Sequence, residues 1–244
     1  HYILKHNKNT NYSINPELRL LLTTSGTTGS KKFVRISEKN ILSNTKSIIK
    51  YLHINEKHRS ITTMPPFYTY GLSIINSHLF SGGSILVTKR RVIEKEFWDL
   101  FNKFKITSFG GVPFFYEMLL RLNFQKKKFN TLKYFTQAGG PLQTEIVKYF
   151  YNYAEKNEKK FIVMYGQVEA TSRISYLDFK YLKNKIGSIG KVIPGGKMFL
   201  DKKNEICYKG NNVCMGYSES YKDLKKKNIN KGFLKTGDLA FKDK

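Results

Sequence analysis

Residues 23–32 read TTSGTTGSKK: four threonines, two serines, two glycines and two lysines, with no apolar side chain. Apolar runs flank them, LRLLL before and FVRI after. Glycines let backbone come close to a ligand, and the N–H groups they expose can cradle phosphate oxygens. Serine and threonine hydroxyls add donors, and a lysine ammonium supplies a point charge for the outer phosphates of a nucleotide. The spacing is not GxxxxGK[ST], because Gly26 and Gly29 are three apart and neither Ser nor Thr follows Lys32. A flexible polar spacer is the plain alternative. The density of hydroxyls, with two lysines behind them and a strand on either side, favours phosphate binding. Two further loops follow apolar runs in the same way, QAGGPL (137–142) and GQVEAT (166–171). Taken singly, the polar residues nearby have ordinary readings. Tyr165 ends an apolar strand, Glu169 is a solvated carboxylate, Asp238 in TGD is a turn former, and Phe67 and Tyr68 are core aromatics.

The elements that must position these loops alternate in type. Strands are expected at 19–23, 33–36, 59–63, 84–88, 106–112, 132–136 and 161–165, from their β-branched and aromatic content. Ser37 is placed to cap a helix carrying Ile41, Leu42, Thr45, Ile48, Ile49 and Leu52 on one face. Further helices are expected at 71–80, around Phe97–Phe104, from Pro113 to about Leu122, and around Ile146–Ala154. The alternation predicts an α/β fold: a mostly parallel sheet with helices on both faces. From about 186 onward KMFL, DKKN and EICYK read as a β-hairpin, so a small β-rich subdomain is expected over 186–244 after an α/β unit over 1–185. Ligands of such sheets sit beyond the carboxyl ends of the strands, which sets all three loops around one crevice.

Composition narrows the partners. Lys and Arg number 43 against 18 Asp and Glu, a formal charge of +25. A nucleic-acid surface would have such a balance. Here the lysines are spread along the whole chain, and the accompanying excess of Asn, Ile, Tyr and Phe matches codons rich in A and T, so a nucleic-acid partner is disfavoured. Cys207 and Cys214 form no CxxC pair, the five histidines have no metal-ligand spacing, and no apolar run approaches the ~20 residues of a membrane span. No signal peptide is visible, and a reducing cytoplasm is the expected compartment. The chain opens on His1 and closes on FLKTGDLAFKDK, which reads as a piece of a longer protein.

SGTTGSKK resembles the phosphate loop, SGTTGxPK, of the acyl-adenylate-forming (AMP-binding) superfamily: acyl-CoA synthetases, adenylation domains of peptide synthetases and luciferases. Further motifs follow in that family's order. MPPFYTYGL (64–72) resembles its acyl-pocket segment, QAGGPL its adenine-side loop, YGQVEAT (165–171) its YGQTE, GSIGKVIPGG (187–196) and NEICYKGNNVCMGY (204–217) its connecting segment, and KTGDL (235–239) its ribose-binding TGD. The resemblance implies that Thr24, Ser25, Gly26, Thr27, Thr28, Gly29 and Lys32 hold the β- and γ-phosphates of ATP. It places Ala138, Gly139 and Gly140 against one face of adenine and Tyr165, Gly166 and Gln167 on the other side. It makes Asp238 the acceptor of the ribose hydroxyls and Glu169 the Mg²⁺ ligand, with Lys32 and Glu169 acting in catalysis. Tyr68, Gly71 and Val112 would line the acyl pocket, whose aromatic character and lack of an acidic residue suit a fatty or aryl acid over an amino acid.

The implied reaction is ATP-dependent activation of a carboxylic acid to an acyl-adenylate with release of pyrophosphate, then transfer to a thiol. The thiol belongs to coenzyme A or to the phosphopantetheine arm of an acyl carrier protein. Three positions depart from the pattern: Lys31 for proline, Tyr68 for histidine, and Val168 for the threonine of YGQTE. Valine donates no hydrogen bond to the α-phosphate, which predicts weakened adenylation. The family's C-terminal lid, with the lysine that drives adenylation, would follow residue 244. An adenylate-binding pseudoenzyme, or an incomplete module without catalysis, is therefore the alternative reading, and a basic nucleic-acid binder is a third.

Overall fold

A computed structural model describes residues 13–23 and 32–243. β1 (Leu18–Thr23) and β2 (Phe33–Ser37) pair antiparallel, and Ser37 then caps α1 (Glu38–Leu52). The cap is reciprocal: the Asn40 N–H donates to Ser37 Oγ at 3.2 Å, and the Ser37 N–H to Asn40 Oδ1 at 2.9 Å. β3 (Arg59–Thr62), α2 (Thr69–Phe80), β4 (Ser84–Val87), α3 (Lys95–Lys103), β5 (Ser108–Gly111), α4 (Pro113–Arg121), β6 (Tyr134–Gln137), α5 (Thr144–Lys156) and β7 (Lys160–Tyr165) follow. β8 (Ser175–Leu177), a short α6 (Phe179–Leu182) and β9 (Lys191–Val192) come next. β10 (Gly196–Leu200), β11 (Glu205–Gly210), β12 (Gly216–Ser218) and β13 (Phe233–Leu239) end the chain.

The central sheet has seven strands in the order β4-β3-β5-β6-β7-β8-β9. Its first five members are parallel, and β8 and β9 are antiparallel additions. Alternation along each strand feeds two cores. Phe109, Phe135 and Phe161, register partners on β5, β6 and β7, stack at 5.3 and 5.0 Å and meet Phe97, Phe101, Tyr116 and Phe150 from α3, α4 and α5. Tyr134, Ile162 and Met164 point the other way, toward Ile48 and Tyr51 of α1 and Tyr70 and Ile74 of α2. The sheet is thus covered on both faces, as a parallel sheet requires.

Two expectations shift. β1 and β2 do not enter the central sheet; with β12 they form a separate antiparallel sheet. The connection between them, residues 24–32, is too short for the crossover that parallel neighbours need. On α1 the buried face is Asn40, Asn44, Thr45, Ser47, Ile48 and Tyr51, while Ile41 and Leu42 are only half-buried. The helix is rotated so that its amides reach backbone: Asn40 Nδ2 donates to the carbonyls of Asn211 and Val213, both at 2.7 Å. The expected hairpin near 197–209 is present as β10–β11, which β13 extends. Residues after 186 also supply β9 to the central sheet and β12 to the first one. Among the described residues no helix is long and apolar enough to cross a membrane.

Candidate functional site

The carboxyl ends of β5, β6 and β7 lie side by side, and the loops leaving β6 and β7 carry Ala138, Gly139, Gly140, Gly166, Gln167 and Glu169. After β6 the chain turns through Ala138, which is buried, to Gly139 and Gly140. Gly139 has φ +85°, and a Cβ there would stand 2.5 Å from Tyr68 Oη and 3.1 Å from Val112 Cγ1. Tyr68 and Val112 therefore close on the bare backbone of Gly139, where any larger residue would collide. The Gln137 amide fixes the turn by donating to the Gly140 carbonyl at 2.7 Å.

β7 delivers Tyr165, whose hydroxyl donates to Asp238 Oδ2 at 2.5 Å. Two residues on, Gln167 Nε2 donates to the Thr236 carbonyl at 3.2 Å. YGQ and TGD, 73 residues apart, are thereby bonded to each other. Gly166 is hemmed in: a Cβ would fall 2.0 Å from the Ser172 carbonyl oxygen. Glu169 accepts from the Tyr217 hydroxyl at 2.7 Å through Oε1, and its backbone carbonyl accepts from the Cys214 N–H at 2.8 Å. Burial raises both phenols, Tyr165 and Tyr217, well above the ordinary tyrosine value, and the neighbouring carboxylates add to it. Both therefore stay protonated as donors.

Tyr217 pairs with Val34 and Ser218 with Phe33, so Glu169 is tied to the edge from which Lys32 extends. Lys32 Nζ forms an ion pair with Glu219 at 2.8 Å. Thr24, Ser25, Gly26, Thr27, Thr28 and Gly29 lie outside the described residues. Gly71 stands apart from the loops: it is buried in α2, where a Cβ would be 2.8 Å from Met64 Cβ and 2.9 Å from the Pro65 carbonyl. Val168 is held with Leu22, Val34, Ile36 and Cys214 in an apolar cluster. Tyr217 and Glu219 escape sequence reasoning because only the pairing of β12 with β2 brings them here. The MGY that ends the 204–217 segment was their one signal.

A cavity of about 340 Å³ opens between 139–142, 163–166 and 187–189. A larger concavity, about 1030 Å³, runs along α1 from Ser37 to Lys50 and contains none of the expected site residues. Among the described residues no three His, Cys, Asp or Glu side chains gather as a metal cluster. Glu169, with one oxygen held by Tyr217 and the other unengaged among the described residues, fits a Mg²⁺ ion that takes one carboxylate and completes its shell with phosphate and water oxygens.

Residues 7–218 match the AMP-binding enzyme family. A probable CoA ligase of Humulus lupulus is 26% identical over 95% of the chain and 45% of its own length. The 2-succinylbenzoate–CoA ligase of Listeria innocua is 27% identical over 91% of the chain and 46% of its own length. Among solved structures, O-succinylbenzoate coenzyme A synthetase of Bacillus subtilis with ATP and magnesium superposes with a TM-score of 0.75 at 25% identity. That match covers 90% of this chain and 46% of that one. The chain spans about half the length of the relatives it matches.

Proposed function

The chain belongs to the AMP-binding enzyme family, and from that premise we propose that it is the nucleotide- and acyl-binding part of an ATP-dependent acid–thiol ligase. The observation that carries the reading is the Tyr165–Asp238 hydrogen bond. It joins the adenine-side and ribose-side motifs into one wall facing Gly139 and Gly140. A carboxylate oxygen of the acid attacks the α-phosphorus, the bond to pyrophosphate breaks, and a thiol then displaces AMP from the acyl carbon. No residue of the chain need be a nucleophile, so its part is positioning and charge. Lys32 offsets charge on the triphosphate, for which it must exchange its Glu219 partner. Glu169, oriented by Tyr217, would hold Mg²⁺, and the ion would supply charge neutralisation to the phosphates. Asp238 would accept from the ribose, and Ala138, Gly139, Gly140, Tyr165, Gly166 and Gln167 would frame the base. Tyr68 and Val112 would border the acyl slot beside Gly139. Coenzyme A is the favoured thiol, since the relatives are named as CoA ligases.

One observation favours a second reading, a nucleotide-binding module without turnover. Val168 stands where the family's pattern has threonine, and it is committed to apolar packing with Leu22, Val34, Ile36 and Cys214. The test has two stages. ATP with Mg²⁺ should raise the melting temperature of this chain under either reading, and Asp238→Ala should weaken that binding about tenfold or more, with a melting temperature within a few degrees of the parent. An unchanged affinity in a folded Asp238→Ala variant rejects the site. Pyrophosphate exchange in the complete protein then separates the ligase from the silent module.

A further inference from the structure

Behind the YGQVEA loop lies a buried charge that the nucleotide does not use. Arg173 is 2% exposed. Its Nη1 donates to Oγ of Ser172 and, at 3.2 Å, to the Ser172 carbonyl, and Nη2 donates to Ser73 Oγ at 3.1 Å. The guanidinium lies 4.2 Å over the Tyr70 ring, and Nε has no partner. None of the ion pairs among the described residues involves it, and residues 1–12, 24–31 and 244 contain no Asp or Glu. A cation taken out of water normally has a carboxylate beside it. This one has hydroxyls, a carbonyl and a ring.

Its placement points to the acyl slot. A Cβ on Gly166 would stand 2.8 Å from Arg173 Cα, so the residue sits directly behind the loop that begins with Tyr165. The backbone is bent to put it there: Thr171 has φ +53° and Ser172 φ +118°. Asn212 pins the bend, donating to the Arg173 carbonyl at 2.9 Å and accepting from Thr171 Oγ1 through its own carbonyl at 2.6 Å. The Arg173 side chain runs to a small cavity shared with Ser73, Ser77, His78, Ser108 and Thr136, beside Gly110 near the carboxyl end of β5. Tyr70, whose ring lies against the guanidinium, donates to the Thr136 carbonyl at 2.8 Å. The lining has no other charge, since burial drives the His78 imidazole down to about 4 and keeps it neutral. The space is about 10 Å³, room for one water-sized group. An oxygen of a carboxylate has that size and would meet Arg173 and the hydroxyls of Ser73, Ser77 and Ser108, while Ile48, Leu52, Ile74 and Met164 supply the apolar remainder of the lining.

We infer that Arg173 is the specificity residue of the acyl slot, and that the acid it selects is a short dicarboxylate. One carboxylate is presented to the nucleotide and the second ends on Arg173. This takes the place of the fatty or aryl acid expected from the aromatic content of the segment. It rests on the proposed ligase reading, so the test keeps the two apart.

The chain is titrated by calorimetry with succinate against butyrate and glutarate against pentanoate, with and without saturating ATP–Mg²⁺. Each dicarboxylate should bind at least about tenfold more tightly than its monocarboxylate partner. Arg173→Gln should bring the dicarboxylate down to the monocarboxylate level with ATP affinity unchanged, and Arg173→Lys should keep part of the preference. Equal binding of the paired acids by the parent protein overturns the inference, as does a preference that survives in Arg173→Gln. If Arg173→Gln does not fold, the comparison in the parent protein decides. ATP binding without dicarboxylate preference sinks this inference and spares the ligase reading; dicarboxylate preference without ATP binding does the reverse.

Discussion

Two arginines of this chain are almost wholly buried, and they are satisfied in opposite ways. Arg35, on β2, is 0% exposed and donates to four backbone carbonyls: Nε to Tyr217 at 3.1 Å, Nη1 to Lys226 at 2.6 Å, and Nη2 to Met215 at 3.1 Å and Lys227 at 3.3 Å. Burial lowers its pKa and Asp223 counters the shift. Arg173 has neutral partners on two of its nitrogens and none on the third. A guanidinium whose fork is filled by carbonyls from a distant segment is a clamp. One left with an open donor and no counter-charge is placed for something that arrives. The same residue type therefore holds the fold together at one site and awaits a ligand at the other.

The comparison breaks first at Arg35, where the largest effect is expected. Arg35→Ala removes a donor from four carbonyls, of which Met215 keeps the Ile229 N–H and Lys226 keeps Asn15 Nδ2, and loosens the tie of β12 and 226–227 to β2. The loss should be on the order of 3–5 kcal/mol, a fall in melting temperature of about 10 °C. Lysine, with no fork, should recover little of it. Thermal unfolding followed by circular dichroism checks this, and a change under about 2 °C would remove Arg35 from the role of clamp.

The polar interior around Arg173 makes a prediction in pH. His78 is buried and its pKa falls from 6.5 to about 4, chiefly through desolvation; its Nδ1 meets the Ile74 carbonyl at 2.9 Å. His58 is shifted in the same sense by burial and by Lys133. The unfolded chain takes up these protons at higher pH than the folded one. Stability from His78 is therefore complete above pH 6.5 and is lost as pH falls toward 4, by roughly 3 kcal/mol across that window. Urea denaturation at pH 7 and pH 4.5 measures it. His78→Asn should flatten most of the slope, and a slope unaltered by that substitution would show that the cavity does not hold its histidine neutral.

Val168 sits at the seam between the two regions, on the loop of the candidate site but packed into the apolar cluster of the β2 sheet. Val168→Thr should cost about 1 kcal/mol of stability, because a hydroxyl replaces a packed methyl. In the complete protein it should raise pyrophosphate exchange about tenfold, as one hydrogen bond to a charged oxygen returns. A rate unaffected by the substitution, with the stability cost observed, would mean that the position belongs to the β2 sheet and not to the chemistry.

How much of this was legible beforehand follows from the range of the contacts. The order of strands and helices, the Ser37 cap and the β10–β11 hairpin depend on neighbours a few residues apart, and the sequence patterns disclose them. The bonds of Tyr165 to Asp238 and of Gln167 to the Thr236 carbonyl join segments that the sequence offers together only through their resemblance to one family's motifs. The rest depends on distant pairing. Tyr217 reaches Glu169 only because β12 joins β2, across a separation of about 180 residues, and that pairing has no local signal. The polar stripe Asn40, Asn44, Ser47 and Tyr51 on α1 is invisible to a search for apolar periodicity, although it is the face that is buried. Arg173 looks like any surface charge beside a strand until α1 and α2 close over it.

The smallest expected effect sharpens the contrast most. Arg173→Met keeps the length of the aliphatic stem and removes the charge. Breaking a satisfied buried ion normally costs several kcal/mol, because the partner is stranded. Here no carboxylate is left behind, and the groups released are the hydroxyls of Ser73 and Ser172 and one carbonyl. The cation–π contact with Tyr70 is lost, but a thioether next to an aromatic ring recovers part of it. The two terms nearly cancel, so the melting temperature should stay within about 3 °C of the parent or rise, in contrast to the collapse of Arg35→Ala. Residues kept for binding are often ones whose removal the fold tolerates. A loss in Arg173→Met as large as that in Arg35→Ala would make both arginines clamps and dissolve the distinction.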